Sequence, residues 1–303
     1  MDRTKTLVGA ALNTAALISP DLAGRAAFGL FRRPAGRSRV RPAEREVHDR
    51  ARTSHLTVAG KRTAVYRWGD GRHPVLLVHG WQSRAARFAP LVTRLLAEGR
   101  SPVAFDAPGH GGSAGSTTTI LEFGEAIGRL HEQDGGYEAV VAHSFGVACA
   151  FHALAEGLRA DRLVAVAGVT DFRFVIGGFR AQLGLSEPVS RQVARRVEEV
   201  LLPGAGNVWE RFDAAGRPAD SVPPTLVVHD EGDPVVPFRQ AGRLQAAYGE
   251  RVRLLATTGL GHQRVLTDPA VLDNVLGFLT EPAGGAAVPA EGGTSGAAVP
   301  AAR

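Results

Sequence analysis

Apolar and polar residues along this chain follow two different periods, and the switches between them outline its elements. HLTVAG (55–60) and RTAVYRWG (62–69) read as the arms of an antiparallel hairpin with a Gly60–Lys61 turn. PVLLVHG (74–80) is instead an unbroken apolar run, the pattern of a strand covered on both faces. FAPLVTRLLAEG (88–99) then has helical spacing and stops at Gly99. The same alternation continues through PVAFDAPGHG (102–111), the helix TILEFGEAIGRLHEQ (119–133), the strand YEAVVAHS (137–144), a helix over 147–154 and the strand RLVAVAGV (162–169). It resumes with the strand in PTLVVHDEGDPVVP (224–237), the helix FRQAGRLQAAYG (238–249), the strand RVRLLATT (251–258) and the helix DPAVLDNVLGFL (268–279). Strands that alternate with helices imply an α/β domain with a mostly parallel central sheet flanked by helices.

Three segments fall outside this rhythm. Residues 172–218 are helical, polar on one side, and carry Phe172, Phe174, Phe179, Trp209 and Phe212. They are expected to form a small helical cap inserted over the sheet edge. The tail 282–303 repeats GAAVPA in an Ala/Gly/Pro background and is expected to be disordered. At the other end, LVGAALNTAALI (7–18) is of signal-peptide length, but Asn13 and Thr14 interrupt it and no AxA cleavage site follows. It is too short to span a bilayer. After Pro20, DLAGRAAFGLF (21–31) places Leu22, Ala26, Phe28 and Leu30 where they can share a helix face. The division is therefore 1–50 for two amphipathic helices and a basic segment, 51–281 for the α/β domain, and 282–303 for the tail. The helices are expected either to dock on the domain or to make peripheral membrane contact, and a cytoplasmic chain is favoured over an exported one.

Composition adds three constraints. The formal charge of +5 comes from arginine, since lysine occurs only at Lys5 and Lys61. Arg32, Arg33, Arg37, Arg39, Arg41 and Arg45 crowd one segment, which is read first as a solvated basic stretch and second as a contact for an anionic surface. No aromatic interleaving or nucleic-acid-binding motif accompanies them, so no nucleic-acid partner is expected. Cys149 is the only cysteine, which excludes an internal disulfide and a CxxC zinc site; its place in an apolar helix predicts a buried, inert thiol. GHGGSA (109–114) follows a strand as a dinucleotide fingerprint would, but STTTI delays the helix that must come next. HExxH, Walker A and EF-hand patterns are missing, so no metal and no cofactor is expected.

Chemistry gathers at the ends of the strands. AVVAHSFGVACA (139–150) puts Ser144 on a strand-to-helix turn, with small Ala142 and Gly146 two positions before and after it. A hydroxyl at such an apex stands clear of the sheet, and the helix behind it favours developing negative charge. A serine nucleophile needs a base, and the base needs an orienting partner. His262 follows the strand 252–257 and Asp233 follows TLVV, giving the chain order Ser144, Asp233, His262. Asp171, Asp230 and Glu231 compete for the acid position; GDPVVP places Asp233 in the loop facing the histidine. The backbone N–H groups of Phe145 and Trp81 are the candidate oxyanion donors. His79, His110 and His229 sit in turns suited to structural hydrogen bonds, and His143 is expected to point away from the serine.

Five segments carry a wider resemblance: HGW (79–81), DAPGHGGS (106–113), AHSFG (142–146), DEGDPVVP (230–237) and GLGHQRVL (259–266). In that order and spacing, over about 55–281, the chain resembles the α/β-hydrolase superfamily, in its serine esterase and lipase-like branch. It departs from that pattern at Ala142, where many members have glycine. Dehalogenase and epoxide-hydrolase relatives carry aspartate at the position of Ser144, which sets those chemistries aside. The resemblance implies Ser144 as nucleophile, His262 as general base and then acid, Asp233 as its orienter, and Trp81 and Phe145 as oxyanion donors. The implied substrate is a small-molecule carboxylic ester or thioester, and the aromatic and aliphatic residues of the cap suggest an apolar acyl or alcohol group on it. An acyltransferase or cofactor-free perhydrolase on the same residues, and a non-catalytic binding module at a membrane surface, are the alternatives.

Overall fold

The computed structural model describes residues 3–201, 203 and 207–281; the tail 282–303, expected to be disordered, lies outside the described residues. The strands are β1 (Arg52–Val58), β2 (Lys61–Arg67), β3 (Pro74–Val78), β4 (Ser101–Phe105), β5 (Tyr137–His143), β6 (Ala160–Val166), β7 (Thr225–Asp230) and β8 (Val252–Thr257). They form one sheet in the order β1-β2-β4-β3-β5-β6-β7-β8. The β1–β2 and β2–β4 pairs are antiparallel, and from β4 to β8 every pair is parallel. The hairpin turns at Ala59–Gly60, one residue earlier than expected, because Lys61 already pairs with Val58. Both turn residues have positive φ, 46° and 72°, which suits the twist of a two-residue hairpin.

Helices follow in chain order: α1 (Arg3–Ile18), α2 (Pro20–Phe31), α3 (Pro42–Asp49), α4 (Ala89–Ala97), α5 (Ile120–Asp134), α6 (Phe145–Ala155), α7 (Phe172–Leu183), α8 (Glu187–Leu201), α9 (Val208–Arg211), α10 (Arg239–Tyr248), α11 (Gly261–Arg264) and α12 (Pro269–Thr280). Their ends have local causes. Thr119 caps α5 through the N–H of Glu122 at 3.3 Å, and Asp268 caps α12 through the N–H of Ala270 at 3.0 Å.

The unbroken apolar runs are central strands covered on both faces. In β3, Val75 and Leu77 join the core beside α4 and α12, while Leu76 and Val78 face the core that contains α5 and α6. All four are fully buried, each contributing roughly 1.5–3 kcal/mol from burial. Cys149 is fully buried in α6, and burial pushes its thiol well up from the ordinary range.

Residues 172–218 supply α7, α8 and α9, and the N-terminal helices pack against them: α2 runs along α8, and α1 touches α2, α7 and α8. Of the face expected on α2, Leu22, Ala26, Phe28 and Leu30, only Phe28 is buried. Ala23, Gly24, Ala27 and Phe28 are buried, whereas Leu22 is 64% exposed. The reason is the closeness of the two helices: a Cβ on Gly24 would lie 2.4 Å from the Cβ of Gln192, so only small side chains fit along the contact. Asn13, an interruption when seen as part of an apolar run, ties α1 to the end of α7. Its Nδ2 donates to the Gly184 carbonyl at 2.9 Å, and its Oδ1 accepts from the Ser186 N–H at 2.8 Å. Among the described residues, no helix is long and apolar enough to cross a membrane.

Candidate active site

Between β5 and α6 the chain turns at Ser144 with φ 56° and ψ −123°, a backbone conformation that non-glycine residues rarely adopt. Neighbouring contacts hold it there. The Ser144 N–H donates to the Val166 carbonyl at 3.0 Å, and its own carbonyl accepts from Val147 and Val169, each at 3.1 Å. Small residues let the surrounding backbones close in. A Cβ on Gly146 would fall 2.4 Å from the Val78 carbonyl oxygen, and one on Gly80 would fall 2.7 Å from the Ser144 Cβ. Ala142 is fully buried at the end of β5, so its methyl group is accommodated where the resemblance favours glycine.

The ends of β7 and β8 deliver the other two residues. The Ser144 hydroxyl is 3.0 Å from His262 Nε2, and His262 Nδ1 is 2.8 Å from Asp233 Oδ2. A carboxylate only accepts, so Nδ1 carries the proton and Nε2 is left to accept from the serine. The other oxygen of Asp233 accepts from the N–H groups of Val235, at 2.7 Å, and Val236, at 3.0 Å. Burial opposes the charge of Asp233, yet the hydrogen bonds from His262, Val236 and Val235 outweigh it and hold the carboxyl below its ordinary range.

The competing acids have other partners. Asp171 caps α7 through the N–H of Arg173 at 2.9 Å. Asp230 accepts from Thr257 Oγ1 at 3.0 Å and the Leu260 N–H at 2.8 Å, which anchors the loop carrying His262. Glu231 is exposed.

Trp81, in the loop after β3, and Phe145, at the start of α6, have their rings edge to face with centroids 5.8 Å apart. Phe145 opens α6, where an α-helix has no internal acceptor for its N–H. Among the described residues, neither its N–H nor that of Trp81 has an acceptor. Two buried histidines stiffen the Trp81 loop. His79 Nδ1–H donates to the Gly80 carbonyl at 2.7 Å and Nε2 accepts from the Ala107 N–H at 2.9 Å. His110 Nε2 accepts from the Gln82 N–H at 3.1 Å, and burial pushes this ring down to about 3. His229 Nε2–H donates to the Val236 carbonyl at 2.8 Å, so all three make structural bonds. The aspartate of DAPGHGGS does the same: Asp106, wholly buried, accepts from Arg84, Tyr66 and the N–H groups of Ala85 and Gly112.

Sequence reasoning missed two contributions. His143 does not simply turn away: its Nε2–H donates to the His262 carbonyl at 2.9 Å, bracing the residue that faces Ser144. Burial, reinforced by the neighbouring His262, pushes the His143 ring down to about 4, so it is neutral at ordinary pH. The second is α2. Ser144 opens into a cavity of about 400 Å3 whose apolar wall includes Phe28 and Phe31 of α2 as well as Phe172 and Phe179 of α7. No local pattern marks those N-terminal residues as lining; only the packing of α2 on the cap brings them there. Phe174 of α7 lines the cavity too, whereas the two remaining cap aromatics pack instead: Phe212 is buried against Phe172 and His152, and Trp209 Nε1–H donates to Glu198 at 2.6 Å.

A comparison with curated proteins gives no match. Solved structures give many, at low identity and over most of the chain. The mouse alpha/beta hydrolase domain-containing protein 10 is 16% identical with a TM-score of 0.59, covering 76% of this chain and 97% of its own. An esterase from Exiguobacterium antarcticum is 16% identical with a TM-score of 0.58, covering 76% and 100%. An esterase from Pyrococcus furiosus is 19% identical with a TM-score of 0.57, covering 80% and 95%. These likenesses establish the fold that β1 to β8 already display, and the sequence comparison supplies the kinship. From β3 into α12, residues 75–274 match the alpha/beta hydrolase family, and the chain is a member of that family.

Proposed function

We infer that this protein is a serine-dependent hydrolase of carboxylic esters or thioesters, with Ser144 as nucleophile. The observation that carries the reading is the chain of short contacts from Ser144 Oγ through His262 to Asp233, opening on an apolar cavity. As Oγ bonds to the substrate carbonyl carbon, its proton passes to His262 Nε2. The anionic Asp233 stabilises the imidazolium that results. The carbonyl oxygen takes up negative charge and is met by the N–H groups of Trp81 and Phe145. Collapse of this adduct breaks the C–O or C–S bond, and the departing alcohol or thiol takes the proton from Nε2. Water then attacks the acyl-serine and gives a proton to Nε2. The second collapse releases the acid and returns the proton to Oγ.

A cavity of about 400 Å3 lined largely by phenylalanine and valine suits an apolar acyl or alcohol group. The esterase neighbours are consistent with this chemistry, as is the thioesterase domain from the curacin biosynthetic pathway, which is 18% identical with a TM-score of 0.53. The test is intact mass after treatment with a fluorophosphonate probe. One adduct on the wild-type chain and none on Ser144→Ala is the expected result. A folded wild-type chain that stays unlabelled would overturn the reading and favour a binding role for the fold.

A further inference from the structure

The cavity over Ser144 adjoins a second one of about 540 Å3, and the two share Phe31, Trp81, Phe179 and Gln182. Their combined wall contains Lys5, Arg32, Arg33 and Arg37 but no aspartate or glutamate. Elsewhere many arginines meet carboxylates, as in the pairs of Arg67 with Asp134 and Arg243 with Asp213, while others, such as Arg159 and Arg264, bond backbone carbonyls. Among the described residues, none of the four cleft cations has a carboxylate partner.

Arg32, at the end of α2, is the sharpest case because it lines the Ser144 cavity itself. Its guanidinium carbon sits 4.8 Å from the centroid of the Phe28 ring, and its Nε is buried without a hydrogen-bond partner. Arg84, Arg196, Arg243 and Arg217 also bury an unpartnered Nε, but through a terminal nitrogen the first three reach a carboxylate and Arg217 reaches the Arg211 carbonyl, whereas Arg32 reaches neither. The Arg32 side chain has no hydrogen bond or ion pair among the described residues, while its carbonyl is held by the Thr118 N–H at 2.9 Å. One N–H donor, on Nε, is thus buried at an apolar wall with nothing to receive it, and the half-buried guanidinium charge has no carboxylate beside it, an arrangement an arriving anion would relieve. Arg37 is held differently, by the carbonyls of Gly111, Ser113 and Gly115. Carbonyls occupy its donors without cancelling its charge. Positive groups of one sign along low-dielectric walls concentrate the potential in the cleft.

We propose that the substrate carries, besides its apolar group, an anionic group, carboxylate or phosphate, which Arg32 receives at the Ser144 cavity with Lys5, Arg33 and Arg37 along the adjoining chamber. This rests on the hydrolase reading above for the word substrate; the anion subsite itself is a matter of binding. Guanidinium groups take carboxylates and phosphates in paired hydrogen bonds, which a lysine ammonium cannot reproduce.

The experiment is calorimetric titration of the full chain with octyl phosphate, octanoate and octanol, below the micellar range. Octyl phosphate and octanoate are expected to bind at least about ten-fold more tightly than octanol. Arg32→Gln should remove most of that preference, and Arg32→Lys should restore only part. The double variant Lys5→Gln, Arg33→Gln removes charge from partly or fully exposed side chains and carries the test if Arg32→Gln fails to fold; it should shrink the preference at least about three-fold. Equal affinity for the three probes, or a preference that neither variant reduces, would overturn the proposal. Two matched pairs then locate the anion: decanoyl-coenzyme A against the decanoyl N-acetylcysteamine thioester for the leaving half, and p-nitrophenyl hydrogen sebacate against p-nitrophenyl decanoate for the acyl half. Arg32-dependent anion binding without fluorophosphonate labelling would retire the hydrolase reading and leave the anion site standing. Labelling without anion preference would do the reverse.

Discussion

Gly146→Ala is a severe test of the elbow because the same change elsewhere should have the opposite sign. An ordinary carbon–oxygen contact lies near 3.4 Å or beyond, whereas the new Cβ would sit 2.4 Å from the Val78 carbonyl oxygen and 2.7 Å from that of His79. The overlap of about 1 Å is with the backbone around the end of β3, which is bonded to β4 on one side and β5 on the other, so no side chain can swing away. Overpacking of this kind costs about 1–3 kcal/mol. With a shift of about 2–4 °C per kcal/mol for a domain of this size, the melting temperature should fall by about 2–12 °C. The start of α6 must move away from β3, separating the Phe145 and Trp81 N–H groups, and a displacement of about 1 Å in such a site costs on the order of 100-fold in rate. Gly128→Ala, in mid-α5 with nothing within 4 Å of the new Cβ, should instead stabilise by about 0.5–1 kcal/mol and leave hydrolysis unchanged. Scanning calorimetry and turnover of p-nitrophenyl octanoate read both variants. A Gly146→Ala protein as stable and active as the parent would refute the close-approach argument.

Ser144→Ala and His262→Gln should each lower kcat on the order of 10,000-fold or more, and combining them should cost little beyond either alone, since they act as one unit. Asp233→Asn should cost a similar factor by favouring the wrong tautomer of His262, with folding retained by melting temperature. Asp106→Ala strips Arg84 of its buried partner and is expected to destabilise by about 3–5 kcal/mol in denaturant unfolding, because the remaining charge stays desolvated. Acid should also destabilise the protein through its buried neutral histidines. His143 titrates at about 4 when folded and at about 6.5 when unfolded, so the unfolded chain binds more protons between those values. Stability is therefore full above about 6.5 and falls as pH drops, with His143 accounting for about 3 kcal/mol by pH 4. His143→Gln should flatten that part of the curve, and an unaltered pH dependence would contradict the assignment.

Much of the architecture was legible because its signals are local. The unbroken run PVLLV reads as a strand covered on both faces, Gly99 marks a helix end, and Ala142 and Gly146 flank Ser144 at the spacing a sharp turn needs. The residues Ser144, Asp233 and His262 could be named for the same reason: each sits just past a strand, and parallel strands end on one edge. What local patterns cannot contain is distance between remote segments. Only the folded chain brought Asp233 rather than Asp171 against His262, across 29 residues of sequence. Only it turned His143 onto the His262 carbonyl, 119 residues away. The N-terminal helices show the limit most clearly. By hydrophobicity alone their larger residues, Leu22 and Leu30, should face inward, but close packing against α8 admits only Ala23, Gly24 and Ala27, and the leucines stay out. That packing carries Phe28, Phe31 and Arg32 to the wall of the Ser144 cavity. The sequence by itself determined which stretches are strands and helices and which polar side chains stand at the strand ends, because both depend on neighbours in the chain. The tertiary structure decided what surrounds Ser144, because shape complementarity between surfaces far apart in sequence leaves no periodic trace.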